Sequence, residues 1–364
     1  KLNIDPLKFR MINAVDDGDR MTNDEIFNRI GLKEVLKSIS KHPAWTTPIP
    51  PGDNRGRGVA LGFWRGATLT SSATVNVHPD GTITMNTGQV DLTGTRTTLG
   101  QIVAQEMQVP LDNVTVRVGD TDSTPYTDLS AGSRTTYVTG TAVYRACKDA
   151  LAQLKAHAAE QFNVNPNEVE YNNGKFTVKE NEEQNVDLVT VARNSTRRAS
   201  GPILGYGTVT RVQAAPQFAA NVVDIEVDRD TGKITILRHT TFQDVGKAIN
   251  PTLVEGQMQG GAAQGIGWAI TEYYDYDEGV LRNPTLLDYR IPTALDLPML
   301  DTEIIEVPAS DGPYGARGVG EVPIVPPGGA IANAIYNAVG VRLYNLPMTP
   351  EAVFWALQAK QNGE

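Results

Sequence analysis

The sequence predicts an α+β fold that contains two similar subdomains of mixed sheets and helices. The first observation is a β-hairpin over residues 73–86, where two alternating segments flank a Pro-Asp-Gly turn. The second is a helix over residues 99–107, in which apolar side chains recur on one face. The third is a weak repeat of this order, as hairpin 222–237 and helix Val254–Thr271, about 150 residues later. No glycine fingerprint of a nucleotide-binding fold follows a strand, so α+β is favoured over a doubly wound sheet.

The chain divides into three parts on this prediction. Residues 1–55 form an N-terminal helical segment and linker, residues 56–200 the first subdomain and residues 201–364 the second. Within the first part, Asn23–Ser38 has the pattern of a helix. Lys41–Gly58 is rich in proline and glycine and is therefore predicted to be a linker.

Further elements complete the predicted subdomains. The last helix has Thr349 as its N-cap, Pro350 at its first position and Glu351 in its first turn. The other predicted elements are strand Val114–Val118, helix Ser133–Phe162, a hairpin of Val169–Tyr171 and Lys175–Val178, strand Glu303–Val307 and helix Gly328–Val339.

Composition excludes several classes of function. The chain has 364 residues, 40% of them hydrophobic, and a net charge of −10, which argues against a nucleic-acid partner. The single cysteine, Cys147, excludes an internal disulfide and an iron–sulfur cluster with four cysteine ligands. The four histidines are far apart, so we expect no metal held by protein ligands. There is no apolar run of about 18 residues and no signal-peptide pattern, so we expect a cytoplasmic protein.

Four segments combine glycine with polar residues next to predicted helix starts. Backbone N–H groups at such positions can hold an anionic or polar ligand. The alternative for each segment alone is ordinary helix capping. The four segments are residues 88–95, 129–136, 255–261 and 315–321.

Glu321 is the candidate catalytic carboxylate. It ends a glycine-rich run and precedes the rigid, apolar stretch Val322–Pro327. A carboxylate in apolar surroundings has a raised pKa in general, which suits a general base. The alternatives are a carboxylate at the approach to a helix or an ion pair with Arg317.

Other polar residues have two interpretations each. Arg134 suits phosphate binding, or else it is a surface or capping arginine. Gln257 lies among small residues, where close approach by a ligand or by a neighbouring helix is equally natural. Asp120-Thr121-Asp122 suggests calcium, but no EF-hand glycine or glutamate follows at the required spacing.

Several of these segments occur together, in this order, in one known family. The chain resembles the C-terminal half of the molybdopterin-binding subunit of the xanthine oxidase family of molybdenum hydroxylases. Gly318–Pro327 resembles the motif with the family's catalytic glutamate, and Asn250–Gly267 resembles its cofactor-contacting helix region. The loop 120–135 is similar to the one that grips the pyranopterin phosphate. Further matches are Asp5-Pro6 with Arg10 and Asn13, and Leu287–Pro292.

The resemblance implies a role for individual residues. Glu321 would be the catalytic base, and Gln257 would hydrogen-bond the metal's ligand sphere or the pterin. The loop Gly132–Thr135 would hold the cofactor through backbone and hydroxyl groups, and Leu92–Gly94 would lie beside the molybdenum. The cofactor-binding residues implied in this way are Gln257, Gly132, Ser133, Arg134, Thr135, Leu92, Thr93, Gly94 and Gly320.

The resemblance also implies an activity and a cofactor. The cofactor would be molybdenum-pyranopterin, as molybdopterin or its cytosine dinucleotide form. The reaction would insert a water-derived oxygen into an electron-poor carbon of an N-heterocycle or an aldehyde. The alternative function is a non-catalytic pterin-binding or assembly subunit. One departure is that the family usually has Gly-Gln-Gly where this chain has Thr93-Gly94-Thr95.

The resemblance covers only the C-terminal half of the family's molybdopterin-binding subunit, and it therefore implies partner chains. We expect a chain with the N-terminal half of the molybdenum subunit, as in nicotinate dehydrogenase-like split subunits, or else a cleaved or trimmed larger chain. A 2Fe-2S subunit and an FAD subunit are also expected, because iron–sulfur and flavin groups belong to partner subunits only. We expect a small-molecule substrate, no nucleic acid and no membrane span.

Overall fold

A computed structural model describes residues 2–197 and 201–363. The described α-helices are α1 (Pro6–Ile12), α2 (Leu32–Lys41), α3 (Pro43–Thr46), α4 (Thr95–Met107), α5 (Gly140–Phe162), α6 (Leu188–Arg197), α7 (Pro251–Ile270), α8 (Pro326–Val339) and α9 (Pro350–Asn362). The described strands are β1 (Arg55–Trp64), β2 (Ser71–Val77), β3 (Ile83–Thr87), β4 (Val114–Val118), β5 (Val169–Asn172), β6 (Lys175–Val178), β7 (Asn181–Asp187), β8 (Ile203–Val209), β9 (Gln217–Val227), β10 (Ile234–Asp244), β11 (Tyr276–Asp277), β12 (Val280–Leu281) and β13 (Leu300–Ile305). A π-helical turn covers Thr135–Thr139, and 3-10 turns cover Leu111–Asn113, Pro166–Glu168, Pro313–Gly315 and Val322–Ile324.

The chain forms two compact units, and neither is continuous in sequence. The first unit contains the N-terminal residues through Arg65, Ala215–Ser310 and the chain from Val319 onward. The second unit contains Gly66–Ala214 and Asp311–Gly318. The boundary predicted at residue 200 lies outside the described residues, and the three-part division by function stays a prediction. Within residues 2–197 and 201–363, no helix has the length and apolar character to cross a membrane.

The first unit is a four-stranded sheet with helices on both faces. Its strand order is β1-β9-β10-β13, with β10 and β13 parallel and the other pairs antiparallel. On one face, Ile331 and Ile335 of α8 pack with Ile225 of β9. On the other face, Leu36 of α2 packs with Phe242 of β10. Because both faces are buried, β9 and β10 carry side chains of the core on each side.

The second unit contains a sheet with the same plan. Its order is β4-β3-β2-β8, with β3 and β4 parallel and the other pairs antiparallel. In each unit a hairpin leads into a helix and then into a strand parallel to the hairpin's second strand. The hairpin's first strand pairs on its other side with β8 in the second unit and with β1 in the first. The predicted α+β fold with two similar subdomains is therefore confirmed. A smaller sheet, β5-β6-β7, completes the second unit.

In each sheet, one edge strand, β1 or β8, lies so close to a helix that the two backbones are in contact. In β1, a β-carbon at Gly56 or Gly58 would overlap the backbone of α8. In β8, a β-carbon at Gly205 or Gly207 would overlap the backbone of α5. Glycine is required at these four positions because it alone lets a helix lie so close to a strand.

Two sequence predictions for the N-terminal part are wrong. The helix predicted over Asn23–Ser38 begins only at Leu32, after Gly31 as N-cap. Asp24 has a positive φ of 66°, and short polar side chains there favour a turn over a helix. The linker predicted over Lys41–Gly58 contains α3 and the first residues of β1. Two of its glycines, Gly56 and Gly58, are strand residues that contact α8, which composition alone does not reveal.

Candidate cofactor and catalytic site

The first candidate loop lies between β3 and α4 in the second unit. Thr93 and Gly94 adopt consecutive left-handed conformations, with φ of 61° and 74°. The hydroxyl group of Thr95 donates to the carbonyl oxygen of Leu92 at 2.8 Å, which closes the turn. Leu92 is 53% exposed, and no side chain caps the start of α4 at Gly94. The first turn of α4 therefore presents its backbone N–H groups beside an exposed loop, an arrangement that favours a polar or anionic ligand.

The second candidate loop precedes the π-helical turn and α5 in the same unit. Gly132 and Ser133 are also consecutive left-handed residues, with φ of 71° and 57°. The carbonyl oxygen of Gly132 accepts from the backbone N–H of Ala67 at 2.8 Å. The hydroxyl groups of Ser130 and Thr135 lie 3.2 Å apart. A non-glycine residue in this conformation is uncommon, and π-turns are frequent at functional sites, so the loop has the features of a ligand-binding segment.

The structure brings these two loops together. The backbone N–H of Gly88 donates to the carbonyl oxygen of Pro125 at 3.1 Å. The hydroxyl group of Thr139 donates to Oε1 of Gln89 at 3.3 Å. Gln89 is 1% exposed, and its Nε2 has no hydrogen-bond partner within the described part of the chain. Gln89 lies in the predicted segment 88–95 but was not among the predicted site residues, because its burial and its partner are not visible in the sequence.

Arg134 is fully buried, so the interpretation as a surface arginine is wrong. Its Nη1 donates to the carbonyl oxygens of Asp128 and Leu129 at 2.9 and 2.8 Å. Its Nη2 donates to the carbonyl oxygens of Leu69 and Thr70 at 3.0 and 2.8 Å, and it also contacts the Ser71 hydroxyl. The terminal donors of the guanidinium group are therefore occupied by the protein. These contacts make Arg134 a positioning residue for the loop, and its membership of a cofactor site stays a prediction.

The segment Asp311–Gly318 packs onto the second unit beside this loop. Tyr314 has a positive φ of 58°, and its hydroxyl group donates to Glu106 of α4 at 2.7 Å. Burial, and then this hydrogen bond, raise the pKa of the Tyr314 phenol. Gly318 lies against Ser133, whose carbonyl oxygen a β-carbon at Gly318 would overlap. The predicted glycine loop 129–136 thus meets residues 315–318 of the other predicted loop within this unit.

Glu321 and Gln257 both belong to the first unit. Glu321 is half-buried and precedes the 3-10 turn Val322–Ile324, which packs on α7. A β-carbon at Gly261 of α7 would lie 2.9 Å from Pro323 and 3.3 Å from the carbonyl oxygen of Gly320. Gln257 is half-buried and lies one helical turn before Gly261, on the same face. The structure therefore places Gln257 on the helix face that carries the Glu321 turn.

Close packing explains only some of the small residues of α7. Gly261 and Gly265 are buried, and a β-carbon at Gly265 would lie 2.8 Å from the carbonyl oxygen of Ile324. Gly256 and Gly260 have no atom within 4 Å of a built β-carbon. Close packing thus accounts for Gly261 and Gly265, and it does not account for Gly256 and Gly260.

The predicted site residues fall into two groups. Residues 92–94 and 132–135 lie in the second unit, whereas Gln257, Gly320 and Glu321 lie in the first. Residues 120–122 form an exposed turn in which the backbone N–H of Asp122 donates to Asp120 at 3.0 Å. No group of three or more metal-ligating side chains occurs among the residues that the structure describes. One group thus offers backbone and hydroxyl donors, and the other offers a carboxylate next to a turn that packs on α7.

The chain matches a known family of cofactor-binding domains. Residues 39–298 match the family described as "Molybdopterin cofactor-binding domain". Among curated proteins, the chain is 33% identical to the putative xanthine dehydrogenase molybdenum-binding subunit of Escherichia coli K12, over 97% of this chain and 50% of that protein. It is 35% identical to the gamma subunit of the 6-hydroxypseudooxynicotine dehydrogenase complex of Paenarthrobacter nicotinovorans, over 86% of this chain and 41% of that protein.

Solved structures show the same fold. Quinoline 2-oxidoreductase from Pseudomonas putida 86 superposes with a TM-score of 0.88 at 24% identity, covering 98% of this chain and 50% of that one. Aldehyde oxidoreductase from Desulfovibrio gigas gives a TM-score of 0.80 at 27% identity, over 98% and 39%. The chain thus spans about half the length, or less, of these relatives. The chain belongs to the molybdopterin cofactor-binding domain family, and it is similar to about half of a xanthine dehydrogenase-type molybdenum-binding subunit.

Proposed function

We propose that this chain is the part of a molybdenum hydroxylase that carries its catalytic base, Glu321. The reaction inserts a water-derived oxygen into an electron-poor carbon of an N-heterocycle or an aldehyde. The observation that supports this most directly is the setting of Glu321, a half-buried carboxylate on a short turn between Gly320 and the buried pair Val322-Pro323. Contact of this turn with α7 gives the carboxylate a fixed position, which a general base needs.

The polar groups of the second unit fit a pyranopterin cofactor. Gly132, Ser133 and Thr135 would hold it through backbone and hydroxyl groups, beside the exposed turn at Thr93 and Gly94. The Nε2 of the buried Gln89 has no hydrogen-bond partner among residues 2–197 and 201–363, which fits a polar ligand at this end of the unit. When bound, molybdenum-pyranopterin supplies the redox chemistry, and the protein supplies binding and the base. The cytosine dinucleotide form of the cofactor is part of the proposal.

In the first unit, Glu321 would accept a proton and Gln257 would orient the cofactor or the substrate. Glu321 accepts the proton of the attacking oxygen at its carboxylate group. Gln257 offers an amide on the same helix face as the Glu321 turn, where it can hydrogen-bond an oxygen of the cofactor or substrate. Gly320 offers a backbone group next to the base. The apolar neighbours Val322 and Pro323 exclude water from one side of the carboxylate.

The substrate class is proposed from the printed names of the relatives. They include a putative xanthine dehydrogenase, quinoline 2-oxidoreductase and aldehyde oxidoreductases, which act on an N-heterocycle or an aldehyde by name. A carbon monoxide dehydrogenase large chain is also similar, at 29% identity. We propose that the substrate of this chain is an N-heterocycle or an aldehyde.

The partners belong to the same proposal. They are the polypeptide with the N-terminal half of the molybdenum subunit, a 2Fe-2S subunit and an FAD subunit. The only cysteine of the sequence, Cys147, is buried in α5, so a cluster with four cysteine ligands must lie elsewhere. Cytoplasmic location stays a prediction.

The experiment is Glu321→Gln in the complex purified through this chain. We expect normal molybdenum content and turnover reduced by about 10²- to 10⁴-fold, since the amide keeps the shape and cannot accept the proton. The matched control is Glu351→Gln, an exposed glutamate in the first turn of α9, which should retain native turnover. Near-native turnover of Glu321→Gln would contradict the proposal and favour a non-catalytic cofactor-binding or assembly subunit.

A further inference from the structure

The turn before Glu321 is intrinsically flexible. Val319 stands between two glycines, Gly318 and Gly320, and glycine loses more conformational freedom on folding than any other residue. A base at the end of such a run holds its position only if other parts of the protein fix the backbone. The contacts of residues 319–321 therefore determine how well Glu321 is placed.

One such contact comes from the centre of the sheet in the first unit. Gln243 of β10 is fully buried, and its Nε2 donates to the carbonyl oxygen of Val319 at 3.0 Å. Its backbone is paired on both sides, with Ala219 of β9 and with Ile304 of β13. Because the strand is hydrogen-bonded along both edges, the α-carbon of Gln243 has a well-defined position. Gln243 thus reaches the turn from a rigid part of the fold.

The adjoining peptide is held by a different element. The carbonyl oxygen of Gly320 lies 3.3 Å from a β-carbon built at Gly261 of α7, so this face of the helix bounds it. The Val319 carbonyl group is thus fixed by β10 and the Gly320 carbonyl group is bounded by α7. Two successive peptide groups with separate supports leave the chain at Glu321 little freedom.

The amide of Gln243 is costly for stability. Its Oε1 is buried and has no hydrogen-bond partner among residues 2–197 and 201–363. A buried acceptor without a partner destabilises a fold, whereas an apolar side chain of the same shape has no such penalty. An amide at this position is therefore better explained by what its N–H group does to Val319 than by a contribution to the core.

We propose that Gln243 is a positioning residue for the base Glu321, acting through its hydrogen bond to the Val319 carbonyl oxygen. This inference rests on the proposed function, in which Glu321 is the base. Loss of the hydrogen bond leaves the 318–320 backbone free to move, and the carboxylate then spends less time where it accepts the proton. Substrate and cofactor binding change little, because Gln243 is buried beneath the turn.

The test compares Gln243→Met with Gln217→Met in the intact complex. Methionine keeps the length of the side chain and removes the donor. Gln217 is an equally buried glutamine, on β9, two residues from the Ala219 that pairs with Gln243. Gln243→Asn is the second variant, which keeps an amide but is one methylene shorter, in case the methionine protein does not fold.

Two readouts separate positioning from a structural role. Hydrogen exchange of peptides that cover residues 316–325 should be faster in Gln243→Met by about 3- to 10-fold, as expected for one lost hydrogen bond, and unchanged in Gln217→Met. At equal molybdenum content, kcat should fall by about the same factor with KM unchanged, again only in the Gln243 variants. Native exchange and native kcat in Gln243→Met, or equal effects in Gln217→Met, would overturn the inference. Glu321→Gln is measured in parallel: if it alone keeps native turnover, the proposed function has failed, whatever the exchange result.

Discussion

The α-carbon of Gly318 lies against the carbonyl group of Ser133, so closely that a β-carbon at Gly318 would overlap the carbonyl oxygen. Ser133 is held in a left-handed conformation, with φ of 57°, and belongs to the loop that precedes α5. Gly318 is the last residue of Asp311–Gly318, a segment that belongs to the second unit. It lies three positions before Glu321. The proposed cofactor loop and the segment Asp311–Gly318 are therefore in direct contact within the second unit.

We predict that Gly318→Ala disrupts the loop 132–134. The added methyl group would overlap the carbonyl oxygen and the carbonyl carbon of Ser133. These are backbone atoms, which move less readily than a side chain. We expect a loss of about 1–3 kcal/mol in the free energy of unfolding and a reduced molybdenum content of the purified complex. Thermal denaturation and elemental analysis measure the two effects.

The control for this prediction is Gly328→Ala in α8. A β-carbon there would lie 3.6 Å from its nearest neighbour, Leu346, which is ordinary contact. Alanine favours a helix over glycine, so stability should stay the same or rise by up to about 1 kcal/mol. If both variants behave alike, the close packing at Gly318 has no consequence for the site.

We predict that Arg134→Lys destabilises the second unit by at least about 2 kcal/mol. Lysine has three donors on one nitrogen and cannot reach the four carbonyl oxygens that the guanidinium group serves, so buried acceptors lose their partners. Chemical denaturation measures the loss. Arg145→Lys, where an exposed arginine donates to the carbonyl oxygen of Thr208, should cost less than about 0.5 kcal/mol. Equal stability of native protein and Arg134→Lys would contradict the positioning role.

The third prediction concerns acid stability. His239 is fully buried on β10, and burial lowers the pKa of its imidazole from 6.5 to about 4. A lowered pKa in the folded state means that the unfolded state binds a proton first. The stabilisation is complete above about pH 6.5 and is lost progressively as the pH falls towards 4.

Between pH 7 and pH 5 the native chain should lose about 2 kcal/mol of unfolding free energy through this one group. His239→Gln should lack this part of the loss, because glutamine does not titrate. Denaturant unfolding at the two pH values gives the difference between the proteins. A pH dependence that is the same in both would mean that His239 is already hydrated or charged in the fold.

Much of the fold was predictable because local signals agree with the tertiary structure. The hairpin of β2 and β3, helix α4 and the N-cap of α9 at Thr349 all occur as predicted. Here the apolar period, the turn residues and the caps act within a few residues of each other. The order of these elements also suggested the repeat, which the matching strand orders of the two sheets bear out.

Other features depend on contacts that are distant in sequence. The predicted linker Lys41–Gly58 includes the first residues of β1, where Gly56 and Gly58 contact α8, more than 260 residues away in sequence. Arg134 suggested a ligand contact, whereas its partners are mostly carbonyl oxygens of residues 69–70 and 128–129. Gln89 and Gln243 look like ordinary polar residues of a strand end and a strand. Only their burial and their specific partners distinguish them.

The central claim is that this chain belongs to a working molybdenum hydroxylase, and the metal content of the native complex tests it most directly. The complex is purified through this chain from its own host and checked for intact subunits, then analysed for molybdenum and iron. We predict about one molybdenum per copy of this chain, with iron in the co-purifying subunits. A complete, undegraded complex without molybdenum would contradict the claim and leave the shared fold as the only property in common with the hydroxylases.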